Sequence, residues 1–139
     1  CSLELSGPQT LSLQGSLSTS SPTWIRPSSS CDAREGNPVP YQTFQLTNPG
    51  SVTLAISVTA AWSFDGVLFA FEESFDPSQP TSGCLAGNDD FDTTVQSRLE
   101  NLQLPPGETL TIVATAYGVS RGDFSLAVTA TQPQPQPQP

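Results

Sequence analysis

The run Asn88-Asp89-Asp90-Phe91-Asp92 places three carboxylates and an amide carbonyl within five positions. Carboxylates this close repel one another unless a cation lies between them, and a hard ion such as Ca²⁺ takes about six to eight oxygens. The same residues also read as a solvated acidic turn, with Asp and Asn accepting from the local backbone. Trp24 and Trp62, with Tyr41, Tyr117 and Phe91, have rings large enough to stack on the faces of a sugar. Packing within the core and anchoring of loops is the other use of such rings. Cys1, Cys31 and Cys84 are the three thiols; in an extracellular chain two pair and one is left over. Glycoside hydrolysis needs two acids at a fixed separation across a cleft. Nothing in the sequence distinguishes such a pair from ordinary turn acids, so no catalytic residue is assigned.

Composition narrows the chemistry further. The 139-residue chain has no His, and its cations are four Arg against 13 Asp and Glu, for a net charge of -9. Without His the commonest general base and transition-metal ligand are gone, which excludes Ser-His-Asp, Cys-His and His-zinc sites. Nucleic acid and polybasic membrane contacts need clustered cations that this chain lacks. No apolar run is long enough to span a membrane as a helix. Charged residues are 12% of the chain, and the abundance of Ser, Thr, Gln, Gly and Pro suits a secreted β-rich module.

The elements that must position these residues are strands. Val52, Leu54, Ile56 and Val58 alternate with Thr53, Ser57 and Thr59; Phe124, Leu126, Val128 and Ala130 repeat the pattern. Leu110, Ile112, Ala114 and Ala116 alternate with Thr109, Thr111 and Thr115, and further strands are expected at 11–17 and 41–47. Val67-Leu68-Phe69-Ala70-Phe71 is apolar on both faces and reads as a central strand. The alternation in 95–104 slips by one near Glu100-Asn101, the mark of a bulge. Asn48-Pro49-Gly50 and Pro105-Pro106-Gly107 are each expected to close a hairpin, and 118–122 to join the last two strands. With no helical stripe, the fold class is all-β: an antiparallel sandwich of seven to nine strands with almost no helix.

Several ordered segments carry a family resemblance. Leu13-Gln14-Gly15-Ser16-Leu17 is followed by Pro22-Thr23-Trp24-Ile25-Arg26-Pro27 and by Tyr41-Gln42-Thr43-Phe44-Gln45-Leu46. Then come Phe64-Asp65-Gly66-Val67-Leu68-Phe69, Ser74-Phe75-Asp76-Pro77, Ala86-Gly87-Asn88-Asp89-Asp90 and Ser97-Arg98-Leu99. Pro106-Gly107-Glu108-Thr109-Leu110 and Gly122-Asp123-Phe124-Ser125-Leu126 complete the order. Over 11–131 the chain resembles the bacterial pre-peptidase C-terminal domain family of secreted and surface proteins; Gln42 departs from the Asp usual in the family's "Y-D-x-F-x-F" strand. The resemblance implies a jelly-roll-like sandwich without catalytic activity. It also implies that Asp65 faces the acidic loop, giving a calcium set of Asp65, Asn88, Asp89, Asp90 and Asp92. For the cysteines it favours Cys31 with Cys84. The rival pairing, Cys1 with Cys31, follows if 3–6 forms a hairpin with 10–14.

Residues 1–131 thus form one domain. The Gln-Pro alternation of 132–139 cannot join a sheet ladder and favours a polyproline II rod of roughly 25 Å, an interdomain linker or a segment that packs on a neighbour. Cys1 is read as an unpaired thiol for an intermolecular disulfide, or as a lipid link. Two functions fit an extracellular or cell-surface module. One is a structural or adhesive unit that assembles with its own copies or neighbouring domains, the two termini building a filament. The other is a carbohydrate-binding or accessory module of a secreted hydrolase, with polysaccharide as partner.

Overall fold

In a computed structural model the chain is an all-β sandwich. Residues 2–5, 7–27, 31, 38–64, 66–72, 75–88, 97–116 and 121–131 are described. Among them there is no helix and there are ten strands: β1 (Ser2–Glu4), β2 (Gln9–Leu17), β3 (Thr23–Trp24), β4 (Val39–Thr47), β5 (Leu54–Trp62), β6 (Gly66–Glu72), β7 (Cys84–Asn88), β8 (Ser97–Leu104), β9 (Thr109–Ala116) and β10 (Gly122–Thr131). The count exceeds the expected seven to nine because β1 and β3 are only three and two residues long.

Six strands form one sheet in the order β1-β4-β9-β6-β7, with β3 on β4, and four form the other in the order β2-β10-β5-β8. Every pairing is antiparallel except β1 on β4, which is parallel with Ser2 opposite Gln45. The expected hairpin with 10–14 is not formed by the described residues, because β1 lies in the six-stranded sheet on β4 and β2 in the other sheet on β10.

Alternation sorts the side chains. From the six-stranded sheet Phe44, Leu46, Leu68, Ala70, Leu110, Ile112 and Ala114 point inward. They meet Ile56, Val58, Leu99, Leu102, Leu126 and Val128 from the four-stranded sheet in one core. Phe44 and Phe124 join the layers edge to face, with centroids 6.2 Å apart. The slip read near Glu100-Asn101 is a bulge: the register between β5 and β8 shifts between Ile56 and Val58, and Asn101 takes a left-handed φ of 57°. Asn is among the side chains that tolerate that region best.

Two sequence expectations fail in an instructive way. Neither Asn48-Pro49-Gly50 nor Pro105-Pro106-Gly107 closes a hairpin, since β4 and β5 lie in different sheets, as do β8 and β9. Both turns are arches between the layers. Local turn chemistry bends the chain equally well in either role, and pairing partners decide which one results. The arches are clamped together by Asn48, which is 1% exposed. Its Nδ2 donates to Val52 O (2.8 Å) and Leu104 O (2.9 Å), and its Oδ1 accepts from Gly50 N (3.0 Å).

Within the six-stranded sheet, β6 and β9 are also buried on their outer face. Val67, Phe69 and Phe71 of β6, with Thr111, Val113 and Thr115 of β9, share that face and are all buried. Trp24 covers them from the long connection between β2 and β4, and Phe75 from the connection after β6. The Trp24 ring lies 5.7 Å from Phe69, 6.0 Å from Phe71 and 5.2 Å from Phe75. A second small core thus sits outside the sandwich, which explains why β6 is apolar on both faces. Cys31 and Cys84 are bridged, with Cα atoms 5.7 Å apart, and tie the covering connection to β7. The outer face of the four-stranded sheet differs: Ser12, Gln14, Ser16, Ser57, Thr59, Ser125 and Thr129 lie there, exposed or half-buried.

Candidate functional site

Trp24 belongs to the packing. Its indole is 3% exposed, with Nε1 donating to Thr115 Oγ1 at 2.9 Å, so it offers no face to a sugar. Trp62 is half-buried, at the end of β5. Its Nε1 donates to Ser97 Oγ at 3.0 Å, and its ring packs on Phe64 and Phe124 at 5.3 Å each. A side chain at Gly66 would collide with that indole, so glycine is required where β6 begins.

Of the proposed calcium set, Asp65, Asp89, Asp90 and Asp92 lie outside the described residues. Asn88 closes β7, and its Oδ1 accepts from Arg98 N at 2.9 Å, so that carbonyl already serves the backbone. Among the described residues no three His, Cys, Asp or Glu side chains gather as a metal group. Cys1, Phe91, Tyr117 and the 132–139 segment also lie outside the described residues.

The structure brings together a set that sequence reasoning missed. Where β2 of one sheet meets β4 of the other, an open groove of about 630 Å³ is lined by residues including Gln14, Ser16, Ser18, Tyr41, Gln42 and Asp123. Pairing builds it: Ser16 opposes Asp123 across β2 and β10, so both stand on one face. Gln42 sits on the inward side of β4, and its Oε1 accepts from Ser16 N at 3.3 Å. Gly15 makes this approach possible, because a Cβ there would strike Gln42 Oε1 and the Phe124 ring.

One wall is a serine turn held by its own hydrogen bonds. Ser18 N donates to Ser21 Oγ (2.9 Å), Ser21 N to Ser18 O (3.2 Å), and the Ser18 and Ser20 hydroxyls lie 2.8 Å apart. The opposite wall is the Tyr41 ring, braced by Trp24 at 5.6 Å and Phe75 at 5.4 Å. Burial raises the pKa of the Tyr41 phenol above its ordinary value. Beyond Gln14 and Asp123 a second shallow depression continues to Trp62 and Ser63. The one legible signal for this site was Gln42, the position at which the chain departs from the Asp usual in the family its motifs resemble.

The chain matches no protein-family model and no curated protein. Among solved structures, the crystal structure of Aeromonas hydrophila PliG, a periplasmic lysozyme inhibitor of g-type lysozyme, is similar to it. The TM-score is 0.52 at 17% identity, over 94% of this chain and 96% of that one. At that identity the likeness is one of fold.

Proposed function

We propose that the chain is a non-catalytic module from outside the cytoplasm, a structural and adhesive unit of a secreted or surface protein. The observation that carries this reading is the unequal cover of the two sheets. One is covered over β6 and β9 by Trp24 and Phe75 and tied by Cys31–Cys84, whereas the other presents Ser, Thr and Gln to solvent. A disulfide of this kind belongs to an oxidising compartment. A chain without His lacks the commonest general base, which suits a binding or building role. The ordered motifs support membership of the pre-peptidase C-terminal domain family. Calcium on Asp65, Asn88, Asp89, Asp90 and Asp92, and self-association through Cys1 and 132–139, extend the reading from the sequence.

Beads coated with the chain should adhere to insoluble polysaccharide or to one another, and chelator should weaken the protein if calcium is part of it. Turnover of ester, glycoside or peptide substrates that one carboxylate substitution abolishes would overturn the reading. A second reading is favoured by the net charge of -9, which steers a basic protein toward the surface. PliG inhibits a lysozyme. Salt-sensitive inhibition of a g-type lysozyme by this chain would select that reading over the adhesive one.

A further inference from the structure

We infer that the groove between β2 and β4 is a binding site for an uncharged saccharide, held by Gln14, Gln42 and Asp123 between Tyr41 and Trp62. The inference rests on the adhesive reading above and gives it a ligand class.

The lining selects the ligand. Its polar residues are Gln14, Gln42, Ser16, Ser18, Tyr41 and Asp123, and among the described residues no cation lines it. An anionic ligand would meet the Asp123 carboxylate on a chain whose net charge is -9. Planar amides and carboxylates offer paired donors and acceptors at the spacing of vicinal hydroxyls. Among the described residues Gln42 gives only its Oε1 to the protein, and the residue lines the groove. Asp123 side-chain oxygens accept no hydrogen bond from the described residues, and the bond from Ser63 Oγ goes to the Asp123 backbone carbonyl.

Shape and rigidity agree with this chemistry. The volume of about 630 Å³ suits a ligand of two or three sugar rings and is within the usual range for small-molecule sites. The two depressions share Gln14 and Asp123, so the polar centre is flanked by Tyr41 on one side and Trp62 on the other. Aromatic rings at both ends of a polar strip provide apolar contact for sugar faces. The walls are ordered before any ligand arrives. The serine turn is closed by its own bonds, Tyr41 N donates to Pro22 O at 3.0 Å, and Trp62 is pinned through Ser97. Such preorganisation lowers the entropy cost of binding.

The test is a titration of the ¹⁵N-labelled, disulfide-intact chain with cellotriose, mannotriose and chitotriose, followed by amide shifts. At least one should give saturating shifts confined to residues 14–22, 41–42, 62–63 and 123. Gln42→Ala and Asp123→Asn should each weaken that binding about tenfold, the loss expected for one hydrogen bond to a ligand. Gln14→Ala is a second probe should either variant fold poorly, and Thr59→Ala, elsewhere on the same sheet, should bind as the parent does. A sialylated trisaccharide should bind more weakly than the neutral ones. Saturating shifts absent for all three neutral sugars would overturn the site, as would binding unchanged in both Gln42→Ala and Asp123→Asn. Release of new reducing ends would instead overturn the non-catalytic reading, whatever the groove binds.

Discussion

The indole Nε1 of Trp24 donates to Thr115 Oγ1 at 2.9 Å, joining residues 91 positions apart, and Thr115 Oγ1 in turn donates to Pro40 O at 2.7 Å. This relay runs between the covering connection and the middle of the six-stranded sheet. It satisfies a hydroxyl that β9 buries completely. Trp24, from the connection between β2 and β4, is therefore part of the folded core.

Trp24→Ala should lower stability by about 3–5 kcal/mol, the range for truncating a large buried aromatic. Trp24→Phe keeps most of the ring contact but removes the indole donor, so it should cost about 1–2 kcal/mol. Urea denaturation with the disulfide intact measures both, and a negligible loss in Trp24→Phe would show that the hydrogen bond contributes little.

Breaking Cys31–Cys84, which spans a separation of 53 residues, should cost about 2–4 kcal/mol. The melting temperature should fall on adding reductant, and the double Cys31→Ser, Cys84→Ser variant should no longer respond to it. Amide exchange should rise first around Trp24 and Phe75, because these lie in the layer that the bridge holds.

Asn48→Ala should cost about 1–3 kcal/mol, since it strands the buried carbonyl of Leu104 and removes the bond to Val52 O. Asn48→Asp should be at least as damaging, because it aims a carboxylate oxygen at those same carbonyls. Thermal unfolding of both variants beside the parent decides the point.

Tyr41 and Asp76 set opposite limits in pH. Tyr41 is raised by burial, so its folded form holds the phenol proton more tightly than the unfolded chain does. Its stabilisation is complete below about pH 10 and is lost as pH rises through the folded value. Asp76 is lowered because Ser78 donates to its Oδ1 from both the hydroxyl (2.6 Å) and the backbone (2.9 Å). That contribution is present above the ordinary Asp range and is lost as pH falls through the folded value. A tyrosinate absorbance titration should show one delayed transition that Tyr41→Phe removes. A carboxyl titration by NMR should place Asp76 below an ordinary Asp.

Much of this architecture was legible in the residues. Period-two alternation identified β2, β4, β5, β9 and β10 because a strand with one face in the core must repeat every second position. The apolar run 67–71 marked a strand buried on both faces, and the slip at Glu100-Asn101 marked the bulge, since an extra residue inverts the alternation. The Cys31–Cys84 pairing was implied by family resemblance, and the structure has that bridge. What sequence could not show depended on which strands become neighbours. Asn48-Pro49-Gly50 and Pro105-Pro106-Gly107 encode a bend but not whether its arms pair in one sheet or arch between two, because that choice is made by the packing of distant strands. Thr111 and Thr115 looked like a solvent face until Trp24 and Phe75 folded over them. Gln14, Gln42 and Asp123 are scattered over 110 positions, with no spacing that announces a site. Only the close approach of β2 and β4, permitted by the missing side chain at Gly15, sets them around one groove.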